Sequence, residues 1–335
     1  MADADLAELL SDPRWLAHRY SAAKDELHFV WLTRDDHRRA AFLSDLPADP
    51  TRPQRVVPRA ALVGVDIPQA PLHLILHSGL AGSTLLARAL DQPGVVMTLK
   101  EPPLLSNVAA ASRGGGGGPL IEAAARLVAR PFGSGEAVIV KCGSVANALG
   151  VPIAGVRDDT RLLALHTPLD LYLASLAGKG LWGRLWGRRL FLGLANAGLV
   201  DLGIEGRELL EQTDLQLAAC AWLSIHRLLG EALARFGPAR ARSVDSRLLR
   251  TELPPTLEAI AAFLAIDLDV AAATSPDLLS RDSKTGESFD PKRRQAELDA
   301  ALDQHRQEIE LVVGWAEKVA DVARIAWTLP HPLGA

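Results

Sequence analysis

Gly79, Gly82, Ser83 and Thr84 fall in the stretch PLHLILHSGLAGSTLLARAL, residues 71 to 90, where an apolar run enters a small-residue loop that opens into an amphipathic helix. These residue types at this spacing suit an anion. The glycines let the backbone turn closely around it, the serine and threonine supply hydroxyl donors, and the first amides of the helix point unpaired at the same spot. The expected ligand carries phosphate or sulfate. A loop built for ATP hydrolysis, GxxxxGK[ST], places lysine before its final hydroxyl residue, whereas Leu80, Ala81, Gly82, Ser83 and Thr84 include none, which disfavours that reaction. The plainer alternative is a tight strand-to-helix turn in which Ser83 and Thr84 only cap a helix.

Further along the chain, polar residues recur at the ends of short apolar runs: Lys100-Glu101, Lys141 with Ser144, His166, and Asp245 with Ser246. The elements that must position them alternate. Apolar strands are expected at residues 72 to 76, 95 to 99, 137 to 140, 162 to 165 and 241 to 244. Between and after them fall helical runs at 121 to 130, through Ser175, at 214 to 236 with Thr213 as cap and Gly237 as stop, and at 255 to 264. This pattern predicts an α/β fold with an open, mostly parallel sheet flanked by helices. Ligands of such sheets bind outside the carboxyl ends of the strands, where the five polar ends converge.

Residues 1 to 70 carry no chemical motif and are expected to form an N-terminal extension, with a helix at 5 to 10, a strand at 28 to 32 and a proline-bearing stretch at 46 to 58. Ile67-Pro68 and Pro71 mark the junction with an α/β unit over 71 to 335. The five glycines Gly114 to Gly118 form a linker. Residues 176 to 212, with Trp182, Trp186 and Phe191 among Arg184, Arg188 and Arg189, suit a mobile lid or a helix packed over the ligand site, or a membrane surface.

A chain of 335 residues with 48% hydrophobic and 23% charged residues has the composition of a globular protein. Its net charge of -4 argues against a nucleic-acid partner, so any anion site must be local. Two cysteines, Cys142 and Cys220, are too few for a disulfide framework or a cysteine-based zinc site, and the acidic first residues lack the pattern of an export signal; a reducing, cytoplasmic setting is expected. The apolar run at 190 to 200 is too short to span a bilayer, so no transmembrane segment is expected. No metal site is expected either.

The ordered set resembles the sulfotransferases that use 3'-phosphoadenosine 5'-phosphosulfate (PAPS), a P-loop nucleotide-binding fold. HSGLAGSTLLARAL is similar to their 5'-phosphosulfate loop, LALHTPLDLYLAS to the strand-turn-helix that holds the 3'-phosphate, and RARSVDSRLLRTELPPTLEAIAAFLAI to a late strand and helix. The likeness covers roughly residues 71 to 290 and extends to bacterial sulfotransferase-like proteins with a Ser-Thr-Leu-Leu-Ala-Arg loop and a Glu-Pro element, here Glu101-Pro102. It implies PAPS as co-substrate, held by residues 79 to 84, His166, Ser175 and Lys284. A small or medium acceptor would supply a hydroxyl or amine.

Within that resemblance Glu101 is the candidate general base, with His77 as an alternative base or a donor to the sulfuryl group, and Lys141 as a catalytic cation. The plainer alternative makes Glu101 only an ion-pair partner of Lys100 or Arg88. Leu80 stands where the family loop commonly has lysine, His166 where it has arginine, and Ser175 lies one residue further from Pro168 than the usual spacing. Lys100, Lys141, Lys284, Arg184, Arg188 and Arg189 are candidates to restore the charge. Two other readings are a nucleotide kinase or phosphotransferase using Asp245 as metal ligand, and a non-catalytic descendant that binds a nucleotide or partner.

Overall fold

The computed structural model describes residues 3–46, 49–113, 117–281, 283, 287–288 and 290–333. A first helix, α1 (Asp3–Ser11), precedes an antiparallel sheet of β1 (Trp15–Ser21), β2 (Glu26–Trp31) and β3 (Gln54–Pro58). The second sheet contains β4 (Leu72–His77), β5 (Val96–Lys100), β6 (Ala137–Lys141), β7 (Leu162–His166) and β8 (Ala241–Asp245). All of its pairings are parallel, in the order β5-β6-β4-β7-β8. Every residue of β4, β5 and β6 is buried, as expected when helices cover both faces of a parallel sheet.

Each of these five strands runs on to the polar residue that the sequence places after it. His77, Lys100, Lys141, His166 and Asp245 are the final strand residues. Register sets them side by side: Lys100 pairs with Lys141 across β5 and β6, and His166 with Asp245 across β7 and β8. The chain leaves β4 for one edge of the sheet and later returns past it to the other. The carboxyl end of β4 is therefore the switch point, the position at which open parallel sheets bind their ligands in a crevice.

The helices that matter for the crevice are α2 (Ser83–Leu90), α3 (Pro103–Ala111), α4 (Gly118–Val128), α5 (Leu169–Ala177), α6 (Gly180–Asn196), α7 (Asp214–Arg240), α8 (Leu248–Thr251), α9 (Leu253–Leu264) and α10 (Arg306–Val322). Thr213 closes a capping box on α7: its Oγ1 accepts the Gln216 amide at 3.3 Å while the Gln216 Oε1 accepts the Thr213 amide at 2.9 Å. At the far end Gly237, φ +63°, breaks the helical path just before Pro238. The α7 helix is long and apolar enough to cross a membrane, yet 72% of its most apolar window is buried inside the protein, where it serves as a core helix.

Residues 1 to 70 do more than precede the parallel sheet. Leu9, Leu16, Leu27, Phe29 and Val57 share one continuous core with Leu72, Leu104 and Val138. Arg130, just beyond α4 and almost fully buried, donates to the carbonyls of Leu9 (3.1 Å), Leu10 (3.2 Å) and Trp15 as well as Leu127 (3.1 Å). Burying a guanidinium is costly unless its donors are met, and here backbone carbonyls meet them. In the Gly114–Gly118 linker, residues 114 to 116 lie outside the described residues, and α4 starts at Gly118.

Candidate active site

The loop after β4 has the backbone of an anion cradle. Gly79, Leu80 and Gly82 have φ of +83°, +51° and +76°, the left-handed region that glycine enters without strain and leucine does not. The Gly79 amide turns back to His77, and the Leu86 amide makes the first helical bond, to the Gly82 carbonyl at 3.0 Å. Between them the amides of Leu80, Ala81, Gly82, Ser83, Thr84 and Leu85 have no acceptor among the described residues. Neither do the hydroxyls of Ser83 and Thr84 have a partner there, so they do not cap the helix. Six successive unpaired amides at a helix start concentrate positive potential at one point.

His77 is fixed twice. Its Nδ1 accepts the Gly79 amide at 3.1 Å, so the neutral ring carries its hydrogen on Nε2. Its backbone is clamped by the buried Asn147, whose Oδ1 accepts the His77 amide at 3.2 Å and whose Nδ2 donates to the His77 carbonyl at 3.0 Å. Asn147 thus extends the sheet where β6 has ended. Nε2 is then aimed at Glu101, 3.8 Å from Oε1.

Glu101 directly follows β5 in a left-handed conformation, φ +55°, an uncommon state for a side chain of this size. The bend turns its carboxylate from its own strand toward the end of β6, where Oε1 forms an ion pair with the Lys141 Nζ. Its partner is therefore Lys141, while Lys100 donates to the Arg38 carbonyl at 3.1 Å. Lys141 is buried and also lies over the Phe42 ring, 4.6 Å from its centroid. Burial lowers the Lys100 pKa to about 8, with neighbouring Asp91 opposing the shift. Three strand ends, β4, β5 and β6, thus bring His77, Glu101 and Lys141 together beside the loop.

The β7 and β8 ends form a second group. Burial pulls the pKa of His166 down against the attraction of Asp245, so its ring is neutral at pH 7. Both Asp245 oxygens are engaged by Arg247: Oδ1 accepts the backbone amide at 2.8 Å, and Oδ2 accepts from Nε at 2.9 Å and Nη2 at 2.6 Å. A carboxylate so committed is a poor metal ligand. Ser175 is half-buried on α5, and its hydroxyl makes no hydrogen bond among the described residues. Lys284 lies outside the described residues.

The region 176 to 212 contains α6, which is packed rather than hanging free. A Cβ on Gly183 would lie 2.1 Å from the Leu176 carbonyl oxygen, so glycine is what lets α6 approach α5. Arg184 makes a bidentate pair with Glu308 of α10 (2.9 and 2.7 Å), and Arg188 binds Asp214 at 2.7 Å. Those two arginines hold α6 in place. Trp186 roofs the loop, its Cη2 3.5 Å from where a Gly79 side chain would begin, and Leu249 of α8 comes within 3.4 Å of the same point on Gly82.

Asn147 and Tyr172 carry no sequence signal, whereas Ser246 belongs to the polar strand ends legible in the sequence. Asn147 sits in a short 3-10 turn, and its role depends on a strand 70 residues away. The hydroxyls of Tyr172, Thr167 and Ser246 are buried without partners among the described residues; the Tyr172 ring flanks Gly79, while Thr167 and Ser246 directly follow β7 and β8. Buried polar atoms are normally satisfied, and these three orphans lie toward the carboxyl ends of the strands.

No family model matches the chain, and no curated protein does. Solved structures similar to it include two sulfotransferase domains. One is a sulfotransferase domain from the curacin biosynthetic pathway, 14% identical over 79% of this chain and 100% of that one, with a TM-score of 0.45. The other is a sulfotransferase domain from the olefin synthase of Synechococcus PCC 7002, 16% identical over 76% of this chain and 97% of that one, with a TM-score of 0.40.

Proposed function

We propose that this protein transfers a sulfuryl group from PAPS to a hydroxyl or amine on a small or medium acceptor. The observation that carries the reading is the row of unpaired amides at residues 80 to 85, next to a carboxylate that a buried lysine holds at the neighbouring strand end. Such amides, with the Ser83 and Thr84 hydroxyls, fit a 5'-phosphosulfate without the lysine this loop lacks. The fit at the 3'-phosphate differs from the expected arginine. His166 is neutral there and Arg247 is paired with Asp245, so charge falls to Arg250 beyond β8, with the orphaned Ser246 hydroxyl as a further donor.

In the reaction the acceptor oxygen or nitrogen forms a bond to sulfur as the sulfur–oxygen bond to the 5'-phosphate breaks, and the acceptor proton passes to Glu101. Lys141 holds the Glu101 carboxylate in place through their ion pair. The Nε2 hydrogen of His77, fixed by the Gly79 amide on the far side of the ring, is a donor for charge growing on the sulfuryl oxygens. The engagement of Asp245 by Arg247 weighs against a metal-dependent phosphotransferase.

Calorimetry with 3'-phosphoadenosine 5'-phosphate tests the nucleotide half, with saturable heat expected at micromolar ligand. Absence of heat at millimolar ligand would overturn it. Binding without turnover across a broad acceptor panel would leave a nucleotide-binding protein and remove the transfer step.

A further inference from the structure

Residues 171 to 200 contain Lys179, Arg184, Arg188 and Arg189 and no Asp or Glu, in a chain whose net charge is -4. Helix α6 lies inside this stretch. Its inner face packs through Gly183, Gly187, Phe191 and Leu194. Its outer face leaves Leu181, Trp182, Leu185 and Leu192 exposed at 71%, 59%, 41% and 55%. These are four of the eleven large apolar side chains that stay exposed among the described residues, and no other helix carries more than two. Single exposed leucines are ordinary; four on one helical stripe are not.

Charge distinguishes the partners such a stripe could meet. The nearby acids Glu308 and Asp214 are neutralised by Arg184 and Arg188. Arg189 is exposed on the apolar stripe and makes no ion pair among the described residues, and Lys179 lies over the Trp182 ring at 5.5 Å from its centroid. The face is therefore apolar and cationic with no acid of its own. A second copy docked on it would set like charges against each other. A tryptophan and leucines flanked by lysine and arginine match a membrane interface, with apolar groups at the acyl boundary and cations among phosphates.

We propose that the outer face of α6 docks on a lipid bilayer carrying anionic headgroups. The proposal is independent of the reaction assigned to the crevice. The same helix roofs the anion loop through Trp186, which places the two surfaces about one helix diameter apart, ~10 Å.

The test is co-sedimentation of the full chain with phosphatidylcholine vesicles, with and without phosphatidylserine, across a salt series. Binding to the anionic vesicles alone, weakened by salt, is expected. Arg189→Glu should reduce partitioning on the order of tenfold, and Trp182→Ala should remove a blue shift in tryptophan emission. No sedimentation at millimolar lipid, or equal binding to both vesicles, would overturn the proposal. So would a dimer by light scattering that Leu185→Glu dissociates, because the face would then belong to a second copy. All three side chains are exposed, and the wild-type salt series decides the matter even if a variant misfolds.

Discussion

The Nε2 of His77 faces the Oε1 of Glu101 at 3.8 Å, and that same oxygen is the one paired with Lys141. A single carboxylate oxygen thus sits between a fixed cation and a hydrogen-bearing ring nitrogen, leaving Oε2 on the other side, 3.7 Å from where a Gly143 side chain would begin. That oxygen accepts no hydrogen bond among the described residues, and in the proposed transfer it takes the acceptor proton.

Glu101→Gln should lower kcat by about 10² to 10⁴ if the carboxylate accepts that proton. It also strands the Lys141 charge in a buried site, so the unfolding midpoint should fall. Pairing Glu101→Gln with Lys141→Met should recover the midpoint and leave turnover low. Recovery of turnover in the double variant would assign the pair to structure alone.

Asn147 holds the main chain of His77 at both its amide and its carbonyl. Replacing it with leucine should cost about 2 to 4 kcal/mol, since two buried backbone groups lose their partners. Urea unfolding measures this. A loss below about 0.5 kcal/mol would mean that the His77 backbone finds other partners.

Gly183→Ala drives a methyl group into the Leu176 carbonyl, and backbone at that distance has to move. A loss of about 1 to 3 kcal/mol is expected from overpacking. Because Trp186 lies one turn further along α6, the variant should also change the tryptophan emission of the roof over Gly79. An unchanged melting temperature and spectrum would show that α6 tolerates displacement.

Stability should fall as the solution is acidified below neutrality. Burial depresses the pKa of His37 to about 3 and of His73 and His226 to about 4. The unfolded chain takes up these protons near pH 6.5 while the folded chain resists them. The contribution is therefore fully present above pH 6.5 and is lost progressively as pH drops toward 4. Each histidine contributes a slope of up to about 1.4 kcal/mol per pH unit in that window. Urea midpoints at several pH values would measure the slope, and His73→Gln should flatten it by about one proton. A flat profile between pH 6.5 and 4.5 would contradict this.

The parallel sheet was legible because its strands are buried on both faces and so appear as unbroken apolar runs, each ending at a polar residue. The loop was legible because its glycines and hydroxyl residues are contiguous. The small sheet was harder to read: β1, WLAHRYS, and β3, QRVVP, are short and mix charge with apolar residues, and they become strands by pairing with β2. The Glu101–Lys141 pair joins positions 40 apart, and Trp186 lies over a glycine more than a hundred residues earlier. Contacts at such separations are set by strand order and helix docking, which leave no local pattern. The α6 stretch supported three readings for the same reason: its glycines fit a mobile segment as readily as a close helix contact.

Arg130 gives the molecule an unexpected kind of indivisibility. One side chain just beyond α4 is the common fastener for carbonyls on both sides of the turn between α1 and β1. Removing the first seventy residues would not trim an appendage: it would leave a guanidinium stranded in oil and a seam of the core open to water. Anyone shuffling pieces between such proteins would have to transplant the rivet together with the plate it holds.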